Sequence, residues 1–178
     1  MKLDDVDVRI LSHEDLLRFL CLHWLRHGGV RPLWLCDIAV LLETQGDDFD
    51  WDRCLGDSQQ QADWVACAVG LAHELLGARI KSMSIAQRCR ALPRWLVPAV
   101  LKEWGTAYRP MTPLSMHFKS FKELLEELPR HWPNAIEATM TLNAPFNELP
   151  RLPYQVGHVF SRTAALVAQL AGGAHSRG

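Results

Sequence analysis

The chain has 178 residues, with 19 Lys and Arg against 20 Asp and Glu and a formal net charge of -1. This length suffices to bury a core, and 48% hydrophobic residues with seven Trp are typical of a folded globular protein. The charge balance lacks the clustered excess of Lys and Arg that attracts nucleic acid and anionic membranes, which argues against both as partners.

The five cysteines are widely spaced and form no C-x-x-C pair, so we expect reduced thiols in a reducing compartment. Acidic residues stand at the N-terminus where a signal peptide would be apolar. Charged residues also interrupt each apolar stretch well before the roughly 18 residues of a membrane span. We therefore expect a cytoplasmic protein that does not enter a membrane.

The N-terminal part predicts a short strand followed by a helical hairpin. Apolar and polar residues alternate over residues 6–11, which indicates one short strand or arm. Ser12 is a candidate N-cap for a first helix that ends at a pair of glycines. Pro32 is then well placed to begin a second helix running to about Gln45.

The middle of the chain predicts two more helices. Asp50 can cap a short helix, and after a polar link a longer helix spans roughly residues 63–76. Small residues on the longer helix predict close packing against another helix; they are Ala66, Ala68, Gly70 and Ala72.

Prolines shape the predictions for the C-terminal half. Residues 84–104 have a helical pattern that two prolines interrupt, which favours two short helices over one. An amphipathic helix is predicted over residues 118–128, loop and turn over 129–153, and a last helix over 155–170.

Together these elements predict an all-α fold, an irregular multi-helix bundle to which one short N-terminal strand or arm can be added. The chain divides into an arm over residues 1–11, a helical domain over 12–172 and a disordered tail over 173–178.

Two histidines and an aspartate form the densest group of chemically capable side chains. His23 and His27 lie four residues apart and project from one face of the first helix, while Asp37 lies on the second. Two His and a carboxylate are a conceivable set of metal ligands, but an HExxH glutamate, a third His and a thiolate pair are absent. We therefore predict structural hydrogen bonding and no metal site.

Asp37 is the one charged residue within an apolar run of the second helix. A buried carboxylate without a partner costs several kcal/mol, so we expect Asp37 to be buried and paired. The candidate partners are His23, His27, Arg26 and Arg31.

Motifs of common enzymes are missing. The sequence contains no GxSxG, no Gly-rich phosphate loop, no GxGxxG and no acidic pair on a predicted strand that could hold Mg²⁺. The run KELLEELPRHW is interpreted as a solvated amphipathic face, with a partner-docking groove as the alternative.

One segment resembles a known family. The segment VRILSHEDLLRFLCLHWLRHGG, followed by VRPLWLCDIAVLLE, a D-x-D-W-D-R stretch and an Ala-rich helix ending AHELLGA, is similar to the second half of the uncharacterised nucleotidyltransferase family of bacterial proteins. The likeness extends from about Val8 to Ala78. Beyond it, NELPRLPYQVGHVFSRTAAL is more loosely similar to the C-terminal helix of the family.

The resemblance implies a catalytic core upstream of the matched half. That core carries a Gly-Ser turn, a D-x-D pair and a further strand carboxylate, which bind Mg²⁺ and orient a nucleoside triphosphate. This chain has none of them, and the cluster Asp4, Asp5 and Asp7 is interpreted as solvated. We predict no catalytic residue and no cofactor bound by this chain alone; Mg²⁺ and the triphosphate are implied only by the resemblance.

The same resemblance places His23, His27, Trp34 and Asp37 in the helical motif that faces the nucleotide or acceptor cleft, which implies a binding role for them. We therefore expect a nucleotidyltransferase-family protein truncated to its helical nucleotide- or acceptor-side domain and not catalytic alone. The expected partners are a nucleotide and either a second copy of the chain or a separate catalytic core. The alternatives are a non-enzymatic helical interaction module and a helical protein that binds a small ligand or metal. Whether the chain is an enzyme stays open.

Overall fold

Helices make up most of residues 2–3, 6–7, 10–106 and 132–175, which are the residues that the computed structural model describes. The elements are β1 (Lys2–Leu3), β2 (Val6–Asp7), α1 (His13–Arg26), α2 (Pro32–Thr44), α3 (Trp51–Leu55), α4 (Gln59–Leu76), α5 (Met83–Arg90), α6 (Leu96–Gly105), α7 (Ala135–Thr141) and α8 (Leu152–His175). The all-α prediction is confirmed.

The N-terminal strand is shorter than predicted. Strand β2 pairs with β1 in an antiparallel hairpin, in which Lys2 lies opposite Asp7 and Leu3 opposite Val6. Two strands of two residues are too small to be stable alone. The pair is therefore an appendage to a helical fold.

Local capping signals set the bounds of the hairpin of α1 and α2. The Ser12 hydroxyl accepts a hydrogen bond from the Asp15 backbone N–H at 3.2 Å, which is the predicted N-cap. Gly28 and Gly29 follow α1 with φ values of 72° and 69°, a conformation that glycine adopts most easily. Pro32 is the first residue of α2, as the sequence predicts.

Helix α4 lies at the centre of the fold. It packs against α1, α2 and α5, and its residues from Val65 to Ala72 are all buried. An added Cβ on Gly70 would lie 2.0 Å from the Cys89 carbonyl oxygen of the α5 helix, so the close packing predicted from small residues is confirmed. The helix begins at Gln59, earlier than predicted, because the Ser58 hydroxyl caps it.

The two short helices predicted around the prolines are confirmed as α5 and α6. Pro98 is the third residue of α6. The backbone N–H groups of a first helical turn have no partner within the helix, so a proline there removes no hydrogen bond.

The prediction of loop throughout residues 129–153 is wrong, because α7 lies within that range. The Asn134 side-chain oxygen accepts from the backbone N–H groups of Ile136 and Glu137 at 2.7 and 3.2 Å and so caps α7. The Asn134 amide also donates to the Gly28 carbonyl at 2.8 Å, which ties α7 to the end of α1.

The last helix is longer than the predicted 155–170, since α8 extends from Leu152 to His175. The helix predicted over residues 118–128, and with it the docking groove suggested for KELLEELPRHW, lies outside the described residues. So do the last three residues of the predicted tail.

The turn before α8 contains a buried arginine that the sequence did not single out. The Arg151 guanidinium donates to the Leu149 carbonyl at 2.8 Å and to the Pro145 carbonyl at 3.1 Å. Its central carbon lies 4.8 Å from the ring centre of Trp95 and 4.4 Å from that of Tyr154. Carbonyl groups and aromatic faces thus stabilise this charge.

Within the described ranges, no helix is both long enough and apolar enough to cross a membrane.

Candidate functional site

Three aromatic side chains meet on the hairpin of α1 and α2. The ring centre of His23 lies 4.6 Å from that of His27 and 4.7 Å from that of Trp34. The His27 and Trp34 rings lie 5.3 Å apart, almost perpendicular to each other. We call His23, His27 and Trp34 the ring cluster. The structure thus brings together three of the four binding candidates predicted from the sequence.

The loop behind the ring cluster is fixed by hydrogen bonds from two other indoles. The Trp24 Nε1–H donates to the Arg31 carbonyl at 3.1 Å, within the hairpin itself. The Trp104 Nε1–H of α6 donates to the Gly29 carbonyl at 2.8 Å. The cluster therefore stands on a rigid turn whose geometry does not depend on the cluster's own side chains.

Solvent reaches the ring cluster. His27 is exposed, while His23 and Trp34 are half-buried. The Phe19 ring stacks on His23 at 5.5 Å and is itself 54% exposed. The Arg31 guanidinium lies 4.8 Å from the Trp34 ring centre and is also exposed. Aromatic faces and a cation are thus available to a ligand at one place.

The prediction that Asp37 is buried and paired is wrong. Asp37 is exposed, and among the described residues it forms no ion pair with His23, His27, Arg26 or Arg31. The reason is the orientation of α2, which buries one side and presents Asp37 to solvent.

Apolar residues flank Asp37 on the same outer side of α2. Leu33 and Val40 lie four residues before and three residues after it, and they are 72% and 59% exposed. We call Leu33 and Val40 the outer apolar strip. The sequence of α2 is apolar on more than one side because one apolar side faces the core and another faces outward.

The predicted hydrogen bonds of the two histidines are also absent from the described part of the chain. No hydrogen bond there joins either imidazole to Asp37, and the contacts of His23 and His27 are with aromatic rings. No group of three or more His, Cys, Asp or Glu side chains in the described ranges could hold a metal ion. The alternative metal site of His23, His27 and Asp37 is therefore not assembled.

The five cysteines are free, and all but Cys36 are buried. Burial raises the pKa of Cys54, Cys67 and Cys89 to about 12. Burial also raises the pKa of Cys21 well above its ordinary value. These four thiols therefore stay protonated at neutral pH and pack as apolar side chains, which leaves them without the thiolate that a nucleophile needs.

Two surface depressions lie elsewhere. One of about 210 Å³ is lined by Gln45, Trp51 and Lys81, among others, and one of about 450 Å³ by Leu11 and Arg53, among others. Neither is lined by a residue of the ring cluster. Binding candidates from two helices converge at the ring cluster, so the ring cluster is the candidate site.

Comparison with known proteins gives a family match over the N-terminal part of the chain. A family model described as uncharacterised nucleotidyltransferase matches residues 1–77. That range includes the ring cluster, Asp37 and the outer apolar strip, and ends with α4. No curated protein and no solved structure matches the chain. The first 77 residues are thus similar to the nucleotidyltransferase family that the sequence resembles.

Proposed function

We propose that the chain is the helical nucleotide- or acceptor-side domain of a nucleotidyltransferase and does not transfer a nucleotide by itself. The ring cluster is the observation that carries this proposal. It is partly exposed to solvent, rests on a turn held by two indole hydrogen bonds and lies within the 77 residues that match the family model.

The residues present suit a nucleotide better than a magnesium ion. Aromatic side chains stack on nucleobases, at about 1–3 kcal/mol per base, and the exposed ring of His27 is available for this. Asp37 lies one turn further along α2, where its exposed carboxylate can accept hydrogen bonds from hydroxyl or amino groups. No second carboxylate joins Asp37 in a metal-binding group among the described residues, so in this proposal the acidic pair that binds Mg²⁺ belongs to the separate core.

Nucleotidyl transfer would therefore depend on a core that supplies the Gly-Ser turn and the acidic pair. In this proposal the core contacts the outer apolar strip, where Leu33 and Val40 are exposed. The chain works in the cytoplasm, which agrees with its five free cysteines.

The experiment is a calorimetric titration of the purified chain with ATP and Mg²⁺, comparing the natural sequence with His27→Ala. His13→Ala is the matched control, since His13 is another exposed histidine on α1. We expect saturable binding that His27→Ala weakens about tenfold or more and that His13→Ala leaves unchanged. A natural chain that shows no binding would contradict the proposal.

The outer apolar strip supports a second candidate, a non-enzymatic interaction module that forms a homodimer or joins a complex. In that case the strip is covered by a second copy of the chain or by another subunit. Size-exclusion chromatography with light scattering tests the homodimer. A monomer at micromolar concentration, together with ATP binding, would favour the first proposal.

A further inference from the structure

Arg31 is held in a geometry in which its N–H donors bond to no described residue. Its guanidinium carbon lies 4.8 Å from the Trp34 ring centre, and its carbonyl is fixed by the Trp24 indole at 3.1 Å. When a guanidinium lies parallel to a ring face, its N–H groups point outward in the guanidinium plane, past the edge of the ring. None of these groups bonds to a described residue, and Arg31 is exposed.

Basic side chains concentrate at this turn. Arg26 and His27 stand at the end of α1, and Arg31 precedes the first residue of α2. None of the three belongs to an ion pair among the described residues. Four other arginines of the described ranges have carboxylate partners at 2.6 to 3.0 Å, namely Arg18, Arg53, Arg79 and Arg88, whereas Arg90 is also outside these ion pairs.

Within α1 and α2, acidic groups are sparse near the turn, whereas Glu103 of α6 and Glu137 of α7 lie on the two other helices that bond to it. The first turn of α2 contains no acidic residue. The acids of α1, Glu14 and Asp15, stand at its opposite end. Asp37 follows Arg31 by six helical positions, about 9 Å along the axis, and forms no ion pair with a described residue. Arg26 and Arg31 thus belong to no ion pair among the described residues, and their guanidinium groups can donate to an anion.

We infer that Arg31, positioned on Trp34, binds the phosphate groups of a polyphosphate ligand together with Arg26. The planar fork of a guanidinium matches two phosphate oxygens, and such charge-assisted bonds are stronger than neutral ones. The inference rests on the proposed function, because it names the part of a nucleotide that the site recognises. The same chemistry suits a nucleotide and a free polyphosphate.

The test compares three ligands by calorimetry: ATP, adenosine and inorganic tripolyphosphate. We expect ATP and tripolyphosphate to bind and adenosine to bind at least about tenfold more weakly. Tripolyphosphate that binds as tightly as ATP identifies the free anion as sufficient, whereas tighter binding of ATP identifies a nucleotide. Raising the ionic strength should weaken the binding of both anions.

Variants connect the binding to the residue. Arg31→Gln should weaken the binding of ATP and tripolyphosphate about tenfold. Arg31→Lys keeps the charge and loses the planar fork, so its affinity should lie between those of the natural chain and Arg31→Gln. Arg90→Gln is the matched control, an exposed arginine on α5 outside the ion pairs of the described residues. Thermal unfolding confirms that each variant is folded. If Arg31→Gln fails to fold, the binding of ATP and tripolyphosphate by Arg26→Gln and the comparison of the three ligands test the inference instead.

The outcomes separate this inference from the proposed function. Equal binding of adenosine and ATP, or normal binding of both anions by Arg31→Gln, overturns the inference even if His27→Ala abolishes ATP binding. Binding of anions that depends on Arg31 and not on His27 supports the inference and contradicts the stacking role of the ring cluster. No binding of ATP or tripolyphosphate overturns both.

Discussion

At the scale of single residues, Asp37 gives the first prediction. Asp37→Ala should change the free energy of unfolding by less than about 1 kcal/mol, because the carboxylate is exposed and has no ion pair among the described residues. Leu35→Ala, on the buried side of the same helix, should cost about 2–5 kcal/mol. Urea unfolding measures both. Breaking a buried ion pair costs about 3 kcal/mol or more. A loss of that size in Asp37→Ala would show that the Asp37 carboxylate is paired.

Sequence reasoning succeeded for residues whose neighbours are local. His23, His27 and Trp34 meet because a spacing of four residues aligns the two histidines and a short loop returns the chain beside them. It failed for Asp37, since an apolar run does not reveal which side of a helix faces the core.

Residues with distant partners carried no signal in the sequence. Asn134 bonds to Gly28, which lies 106 positions away in the chain, and the Trp95 indole donates to the Asn147 carbonyl over 52 positions. Neither partner can be inferred from local spacing. Arg151 likewise reads as an ordinary surface residue until the fold surrounds it with carbonyls and rings.

At the scale of elements, the contact of α4 with α5 depends on Gly70. Gly70→Ala should destabilise the protein by about 2 kcal/mol or more, although alanine favours a helix by about 1 kcal/mol. The reason is that the new Cβ would stand 2.0 Å from the Cys89 carbonyl oxygen, a backbone atom that can move only with α5. Thermal or urea unfolding measures the change.

Gly105→Ala is the control for this prediction. It lies at the end of α6, and an added Cβ would meet no atom of a described residue within 4 Å. Alanine there should be neutral or stabilise by up to about 1 kcal/mol. Equal effects at Gly70 and Gly105 would contradict the argument from close packing.

The bounds of the helices show what capping chemistry can predict. Ser12 and Asp50 accept hydrogen bonds from backbone N–H groups at the first turns of α1 and α3, as their sequence positions indicate. Ser58 and Asn134 cap α4 and α7 in the same way, but they stand in polar or proline-rich stretches that resemble loops. The caps were present in the sequence, and the surrounding composition concealed them.

At the scale of the whole molecule, the pH dependence of stability should depend on His158 of α8. His158 is buried, and its Nδ1 atom has no hydrogen-bond partner among the described residues. Burial lowers the pKa of His158 below its ordinary value of 6.5, and Arg162 acts in the same direction, while Glu137 opposes them. The neutral ring is therefore the form that the folded protein favours.

The sign of the effect follows from proton uptake. The unfolded chain binds a proton at His158 near pH 6.5 and the folded chain only at lower pH, so this contribution to stability is complete above 6.5 and is lost as the pH falls through the lowered pKa. Carboxylates act in a separate window. The Arg53 side chain that bonds Asp15 and the Arg79 backbone N–H that bonds Glu43 lower the pKa of those carboxyls, whose contributions are lost only below their ordinary values of 3.8 and 4.5.

Urea unfolding at a series of pH values above the range in which the carboxylate contributions are lost isolates the effect of His158. The free energy of unfolding should fall as the pH is lowered from neutrality toward 5, and His158→Gln, which does not titrate, should remove that slope whatever its effect on absolute stability. His13→Gln, at an exposed histidine, should keep it. A slope that persists in His158→Gln would mean that another group takes up the proton. A slope that disappears would show that the burial of α8 against α7 ties the stability of the whole fold to one neutral imidazole.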